Sequence, residues 1–135
     1  MIVKQISIFI ENKPGRLAEI TDIIARNNIN MSALSLAERE DYGILRIIVN
    51  NPEESEQILK QNDIVVSLTD VISVLVEDKA GALAKMLQLL ADNNIAIEYM
   101  YAFALKEREK ACMVMRIKEY AEAAEILQKA GYTSA

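Results

Sequence analysis

The stretch Asn12-Lys13-Pro14-Gly15-Arg16-Leu17 decides the fold of this chain. It follows an alternating apolar run, Ile6-Ser7-Ile8-Phe9-Ile10, and it precedes apolar residues at helical spacing: Leu17, Ile20, Ile23 and Ile24. The alternation predicts a half-buried strand, and the helical spacing predicts an amphipathic helix. Pro14 suits a turn or a first helical position, and Gly15 permits a backbone geometry that a side chain would block. The stretch therefore predicts a strand, a tight turn and a helix.

The predicted turn is suited to an anionic group. The first N–H groups of a helix have no acceptor within the helix, and the helix dipole places partial positive charge at the same end. Both features favour a carboxylate or a phosphate at the start of the helix. The alternative is that the glycine serves only a tight turn under close helix packing, which would need the same residues. Of the two, we favour ligand binding at the first turn.

A second copy of the pattern begins 66 residues later. Glu77-Asp78-Lys79-Ala80-Gly81-Ala82-Leu83 follows another alternating run, Ile72-Ser73-Val74-Leu75-Val76. Residues 6–31 and 72–97 share 11 identities in 26 positions, whereas composition alone would produce about one or two. After the first hairpin of each copy the offset becomes 68. The chain is therefore predicted to be an internal repeat.

Each copy is predicted to be a βαββαβ unit. In the first copy we expect strands over 29–37 and 43–49, the latter central, and a short strand over 64–68. Asn51 is predicted to cap a second helix, with Glu54 completing a capping box. This order predicts an α+β fold of two ferredoxin-like units, each with an antiparallel sheet and helices on one face. The units are expected over residues 1–69 and 70–135, the last strand of the second being short or missing.

Composition and charge exclude several classes of partner. The 135 residues are 52% hydrophobic, with a net charge of −5 and a pI near 4.8. Without a cluster of Lys and Arg, nucleic acid and anionic membranes are poor partners. No stretch approaches the roughly 20 apolar residues of a membrane span, and Met1 leads directly into a strand pattern. A cytoplasmic location is the expectation.

Catalytic interpretations have little support. The chain contains no histidine and a single cysteine, Cys112, which we expect to be a small buried hydrophobe. Neither a P-loop nor a G-x-G-x-x-G motif is present, and we expect no metal and no cofactor. The RNA-recognition module shares the element order, but its third strand needs stacking aromatics where this chain has the aliphatic run 44–49.

The chain resembles an ACT domain in three features: the turn, the helix after it, and the segment Asn27-Asn28-Ile29-Asn30 that leads into the next strand. The resemblance occurs twice and covers nearly the whole chain. The resemblance implies a regulatory module that binds a small molecule, usually an amino acid, where two such domains associate side by side. The ligand would lie between the first turn of one domain and the start of strand two of the other. By position, the resemblance implies Asn12, Pro14, Gly15, Arg16, Leu17 and Asn30. To these we add the neighbours Lys13 and Met31, the second-turn residues Gly81, Ala82 and Leu83, and the carboxylates Asp78 and Glu98, which could accept hydrogen bonds from an ammonium.

We also expect a homodimer, with regulation acting through an enzyme partner or through the oligomeric state. If the two units paired through their second strands, strand four of the first unit and strand one of the next would lie about six strands apart, roughly 29 Å. The two residues 69–70 are too short to cover that distance. We therefore expect either that the strand over 64–68 is shared or exchanged between the units, or that two chains make the side-by-side pairing.

The two turns are not equivalent in sequence. The second copy has lost polar groups, because Asp78, Ala80, Ala82 and Ala96 stand where the first copy has Asn12, Pro14, Arg16 and Asn30. A missing partner for a buried polar ligand group weakens binding about tenfold to a hundredfold. We predict that the principal site lies at the first turn and is occupied once per chain.

An alternative from another class is a small ferredoxin-like enzyme with a pocket between sheet and helices. Its acid and base groups would be drawn from Lys13, Asp78, Glu98 and Tyr99. The duplicated turns favour the regulatory interpretation, because backbone donors bind ligands without catalytic side chains.

Overall fold

A computed structural model describes residues 1–105 and 109–134. In this part of the chain the structure has six strands and four helices: β1 (Ile2–Glu11), α1 (Arg16–Arg26), β2 (Met31–Glu38), β3 (Tyr42–Val49), α2 (Pro52–Gln61), β4 (Val66–Glu77), α3 (Ala82–Asp92), β5 (Tyr99–Leu105), β6 (Lys110–Arg116) and α4 (Tyr120–Lys129). The chain forms two compact units. The N-terminal unit is Lys4–Thr69, and the C-terminal unit combines Met1–Val3 with the chain from Asp70 onward.

In the N-terminal unit the antiparallel strands lie in the order β2-β3-β1, so β3 is central, as predicted. Ile47 is opposite Ile6 of β1 on one side and Leu34 of β2 on the other. The N–H of Phe9 also donates to the carbonyl of Val65, at 3.0 Å. The predicted alternation over residues 6–10 is confirmed, because Ile6, Ile8 and Ile10 are buried in one core. That core consists of Ile6, Ile8, Ile10, Ile20, Ile23, Ile24, Leu45, Ile47, Val49, Leu59 and Ile64.

In the C-terminal unit the order is β4-β6-β5, again antiparallel. Cys112 of β6 is opposite Leu75 of β4 and Phe103 of β5. Three methionines, Met86 of α3 and Met113 and Met115 of β6, are buried in the core of this unit. The two units therefore repeat one plan of helices over one face of a sheet.

The prediction of a separate strand over 64–68 is wrong. β4 runs without interruption from Val66 to Glu77, and its residues up to Thr69 belong to the N-terminal unit while the others belong to the C-terminal unit. No glycine or proline occurs in β4, and its β-branched residues favour an extended backbone. The chain therefore has no physical reason to break between the two copies.

The C-terminal unit ends without a regular fourth strand among its described residues. Two backbone bonds replace the missing strand beside β4. The N–H of Ser73 donates to the carbonyl of Met1, and the N–H of Leu75 donates to that of Thr133, both at 2.8 Å.

Other local predictions need correction. Asn51 precedes α2, but no side-chain cap forms, and only its carbonyl takes part by accepting the N–H of Ser55 at 2.9 Å. The second strand begins at Met31 instead of residue 29, because the chain must first leave the left-handed conformation of Asn28 (φ 55°). Most of the predicted second hairpin tip, residues 106–110, lies outside the described residues.

Cys112 is fully buried, as expected, and its sulfur lies 3.1 Å from the hydroxyl of Ser73. Burial raises the pKa of the thiol above its ordinary value, and the hydrogen bond to Ser73 offsets part of this effect. The reactive thiolate is thus scarce near neutral pH. We expect Ellman's reagent at pH 8 to leave the folded chain unlabelled for many minutes and to label it fully in denaturant. Rapid stoichiometric labelling of the folded chain would contradict this.

Candidate functional site

The first turn has the geometry of an open helix start. Gly15 lies immediately before α1 with φ 85° and ψ −14°, in the left-handed region. The N–H of Arg16 donates to the carbonyl of Lys13 at 3.3 Å, and that of Glu19 donates to the carbonyl of Gly15 at 3.0 Å. Among the described residues, the N–H groups of Gly15, Leu17 and Ala18 have no backbone acceptor. These donors are available to a ligand, as the sequence predicts.

A hollow of about 410 Å³ lies beside this turn. We call it the first-turn hollow, and its lining residues are Ile10, Glu11, Asn12, Lys13, Leu17, Leu36, Glu38, Tyr42 and Gly43. Of the implied site residues, the structure therefore brings Asn12, Lys13 and Leu17 together. Pro14 and Gly15 belong to the turn itself, and Gly15 leaves the backbone of the helix start uncovered.

The charges of the first-turn hollow are partly compensated. The ammonium of Lys13 lies 3.0 Å from a carboxylate oxygen of Glu11, and this hydrogen bond is the main reason that the pKa of Glu11 is lowered. Within residues 1–105 and 109–134, the exposed carboxylate of Glu38 forms no ion pair. The hollow thus offers one free carboxylate beside backbone donors and three apolar or aromatic walls, Leu17, Leu36 and Tyr42.

Arg16 does not line the first-turn hollow, although it was implied as a ligand residue. Its Nη1 lies 3.0 Å from Oε2 of Glu19, and only 21% of its side chain is exposed. Its Nε is buried and has no hydrogen-bond partner in the described structure. Arg16 is therefore a packed, ion-paired side chain, and its role as a ligand group remains a prediction.

Asn30 and Met31 lie at the opposite end of the sheet from the turn of their own unit. Glu38, at the end of β2, is opposite Gly43, which also pairs with Ile10 beside the turn. Met31 begins the same strand, about 24 Å away at ~3.4 Å per residue. A single unit therefore cannot bring these two residues to its own turn.

Besides Ile10 and Glu11 at the end of β1, four lining residues of the first-turn hollow were missed from the sequence: Leu36, Glu38, Tyr42 and Gly43. They belong to the hairpin between β2 and β3, more than 20 positions after the turn. The strand order β2-β3-β1 brings that hairpin to the end of β1, where the N–H of Asn12 donates to the carbonyl of Asp41 at 3.2 Å. In the sequence, only the predicted hairpin and the predicted sheet order could have indicated that these residues lie beside the turn.

The second turn repeats this backbone geometry. Gly81 has φ 89° and ψ −16° before α3, and the N–H of Lys85 donates to its carbonyl at 3.0 Å. A cavity of about 660 Å³ lies beside it. We call it the second-turn cavity, and its lining residues are Leu75, Val76, Glu77, Lys79, Ala80, Gly81, Ala82, Lys85, Leu89, Lys110, Ala130, Gly131, Tyr132 and Thr133.

The remaining implied residues of the C-terminal unit lie elsewhere. Leu83 is 37% exposed on α3 outside the second-turn cavity. Asp78 lines an adjoining hollow together with Glu109. Glu98 lies beside Arg116, whose Nε is 3.7 Å from its carboxylate, at the end of β5 and β6 far from the turn. The acid and base groups of the alternative enzyme, Asp78 and Glu98, therefore do not converge within this unit.

Two kinds of feature are absent from residues 1–105 and 109–134. No helix there combines the length and apolar character needed to cross a bilayer. Nor do three or more Cys, Asp or Glu side chains come together there in an arrangement that could hold a metal ion.

Comparison with solved structures shows close similarity over the full chain. The crystal structure of protein BT0572 from Bacteroides thetaiotaomicron is 42% identical, has a TM-score of 0.94, and matches 100% of this chain and 92% of that one. The regulatory subunit of aspartate kinase from Thermus thermophilus is 17% identical with a TM-score of 0.65, over 97% of each chain. At that identity the second likeness shows the fold alone.

Two curated relatives share part of the sequence. An acetolactate synthase small subunit from Mycolicibacterium smegmatis is 30% identical over 88 residues, 63% of this chain and 50% of the relative. A probable acetolactate synthase small subunit from Archaeoglobus fulgidus is 34% identical over 59 residues, which are 42% of this chain and 37% of the relative. The matches thus cover half or less of each curated relative. The family model described as ACT domain pair matches residues 1–133, and this protein therefore belongs to the family of ACT domain pairs.

Proposed function

We propose that the chain is a regulatory module, without a catalytic domain of its own, that binds an amino acid at the first turn. The observation that carries this proposal is the left-handed Gly15, which leaves the N–H groups of Gly15, Leu17 and Ala18 without backbone acceptors in the described structure beside a hollow of about 410 Å³. Membership of the ACT domain pair family supports it.

The lining of the first-turn hollow suits each part of an amino acid. The free N–H groups and the helix dipole would bind the α-carboxylate. The ammonium would bind the carboxylate of Glu38 or the side-chain oxygen of Asn12, both of which line the hollow. Leu17, Leu36 and Tyr42 would enclose an apolar side chain. An aliphatic amino acid is the ligand that these three parts favour together.

A second chain would complete this site. Asn30 and Met31 lie far from the turn of their own unit, so the Asn30 and Met31 of another chain would close the hollow. β2 is the outermost strand of its unit, with Leu34 and Leu36 exposed to 59% and 50%. Exposed leucines on an outer strand favour pairing with another copy. We therefore propose a homodimer as the binding form.

The regulated partner would be an enzyme chain in the cytoplasm. Support comes from the curated relatives, both named as small subunits of acetolactate synthase. A small subunit associates with another chain by definition, and we propose the same arrangement here. The partner would respond to the amino acid because binding orders the turn and the dimer contact together.

A thermal-shift screen of the whole chain against the twenty amino acids tests this function. At a free concentration near 100 Kd a ligand stabilises the folded state by about 2.7 kcal/mol, which is a clear rise in Tm. We expect one or a few aliphatic amino acids to produce it. The matched controls are isobutylamine, which lacks the carboxylate, and isovalerate, which lacks the ammonium. Equal shifts from either control, or no shift from any amino acid, would contradict the proposal.

A further inference from the structure

The two turns differ at the first residue of the helix and at the residue three positions later. Ala82 and Lys85 in the C-terminal unit correspond to Arg16 and Glu19 in the N-terminal unit, at the offset of 66. In the N-terminal unit these two side chains form an ion pair of 3.0 Å, and the arginine is largely buried. The second copy has therefore lost an arginine and carries a cation in place of the carboxylate that held it.

At the second turn there is space beside the position of the lost arginine. Ala82 and Lys85 both line the second-turn cavity of about 660 Å³, together with Leu89 of the same helix. Arg16 occupies the corresponding position on α1 with its Nε buried. An arginine at position 82 would reach into the same region of the C-terminal unit. Alanine leaves that region open.

The second-turn cavity carries an excess of positive charge. Glu77 is its one acidic lining residue, against the three cations Lys79, Lys85 and Lys110, which leaves a net charge of +2. The pKa of Glu77 is lowered, first by a hydrogen bond from Lys79 and then by the charges of Lys79, Lys110 and Lys85. All three ammonium groups thus act on the carboxylate of Glu77. The carboxylates of Asp78 and Glu109 line the adjoining hollow instead.

Lys85 and Lys110 are the cations that a ligand would find available. Lys79 is bonded to Glu77. No ion pair of Lys85 or Lys110 occurs in the part of the chain that the structure describes. The N–H groups of Gly81, Leu83 and Ala84 at the start of α3 likewise find no backbone acceptor among those residues. Leu75, Leu89 and Tyr132 add an apolar wall.

We propose that the second-turn cavity is a separate binding site for a small doubly charged anion, a phosphate monoester or a dicarboxylate, that carries an apolar body. The two negative charges match the net charge of the lining. One anionic group would bind Lys85 and Lys110, and the body would pack on Leu89 and Tyr132. This site is additional to the amino-acid site and does not depend on it.

Calorimetry on the full chain at low ionic strength tests the proposal with phenyl phosphate and glutarate as probes. We expect binding of at least one dianion at one equivalent per chain, and at least tenfold weaker binding of butyrate, a monoanion. Binding of phenyl phosphate alone identifies a phosphate site, and binding of glutarate alone identifies a dicarboxylate site. If neither probe binds, or if butyrate binds equally well, the inference is overturned.

The double variant Ala82→Arg/Lys85→Glu locates the site, because it recreates the ion pair of the first turn and should therefore remain folded. Loss of two contributions, the space and one charge-assisted hydrogen bond, should weaken dianion binding by about 100-fold or more. Lys118→Gln is the matched control, since it makes the same net charge change of −1 at an exposed lysine beyond β6. Unchanged binding in the double variant, or an equal loss in the control, would overturn the location.

The reciprocal variant Arg16→Ala/Glu19→Lys tests the origin of the cavity. It should add a second, weaker dianion site, since Tyr42 stands opposite Glu11 where the C-terminal unit has Lys110 opposite Glu77. A folded variant without any second site would overturn the role assigned to the arginine. Amino-acid binding is measured in parallel on the same samples. Ala82→Arg/Lys85→Glu should leave it intact, so failure of the dianion site and failure of the proposed function give different results.

Discussion

Gly15→Val is expected to abolish amino-acid binding while the chain remains folded. The backbone of Gly15 has φ +85°, which a β-branched residue adopts only under strain, at a cost of about 1–3 kcal/mol. A Cβ at this position would meet no atom of the described chain within 4 Å. The valine side chain would therefore occupy the open space through which a carboxylate reaches the N–H groups of α1. Calorimetry should show at least a 100-fold loss of affinity, because several charge-assisted hydrogen bonds are lost.

Gly81→Val is the matched control for this experiment. Gly81 has φ +89° and equally open space for a Cβ. The two substitutions should therefore destabilise the fold by similar amounts, which a thermal melt will show, whereas only Gly15→Val should remove amino-acid binding. An equal loss of affinity from both, or a stoichiometry near two amino acids per chain, would show that the two turns are equivalent sites and that the predicted asymmetry is wrong.

Leu34→Arg is expected to convert the proposed homodimer into a monomer. Leu34 is 59% exposed on β2, the outermost strand of the N-terminal unit. In a side-by-side dimer this side chain would be buried, and a buried unpaired charge in its place would raise the dissociation constant by at least about 30-fold. Light scattering across a dilution series measures the change. Amino-acid binding should fall in parallel, because the second chain supplies Asn30 and Met31.

Val65→Arg is the control for the dimer experiment. Val65 is 67% exposed and lies before β4, away from β2. The substitution Val65→Arg places the same charge at an exposed apolar position outside β2, so the dimer should persist. A wild-type chain that is monomeric at every accessible concentration would contradict the proposed assembly. So would a dimer that survives Leu34→Arg.

Local patterns explain why much of the fold could be predicted. The alternation in Ile6, Ile8 and Ile10 and the helical spacing of Ile20 and Ile24 reflect which side chains are buried, and all five lie in one core. The left-handed geometry of Gly15 and Gly81 follows from the residue type at a turn. These features depend only on residues within a few positions of one another, so they can be predicted from a single sequence.

The failed predictions concern interactions that distant residues decide. The path of β4 through Thr69 depends on partners more than 40 positions away, such as Met115 opposite Ile72. The capping box at Asn51 depends on a side-chain rotamer that the pattern of residues does not specify.

The sequence by itself determined the class of site: an internal repeat, two glycine turns, and an open helix start after each. Only the tertiary structure decided what surrounds each turn. The sheet order brings Leu36, Glu38 and Tyr42 to the first turn, whereas α3 and residues 130–133 enclose the second. The effect of Ala82 shows the physical reason. In the sequence Ala82 is the loss of a polar group, whereas in the structure it lines a cavity of about 660 Å³. The consequence of a small side chain depends on which distant residues surround its position.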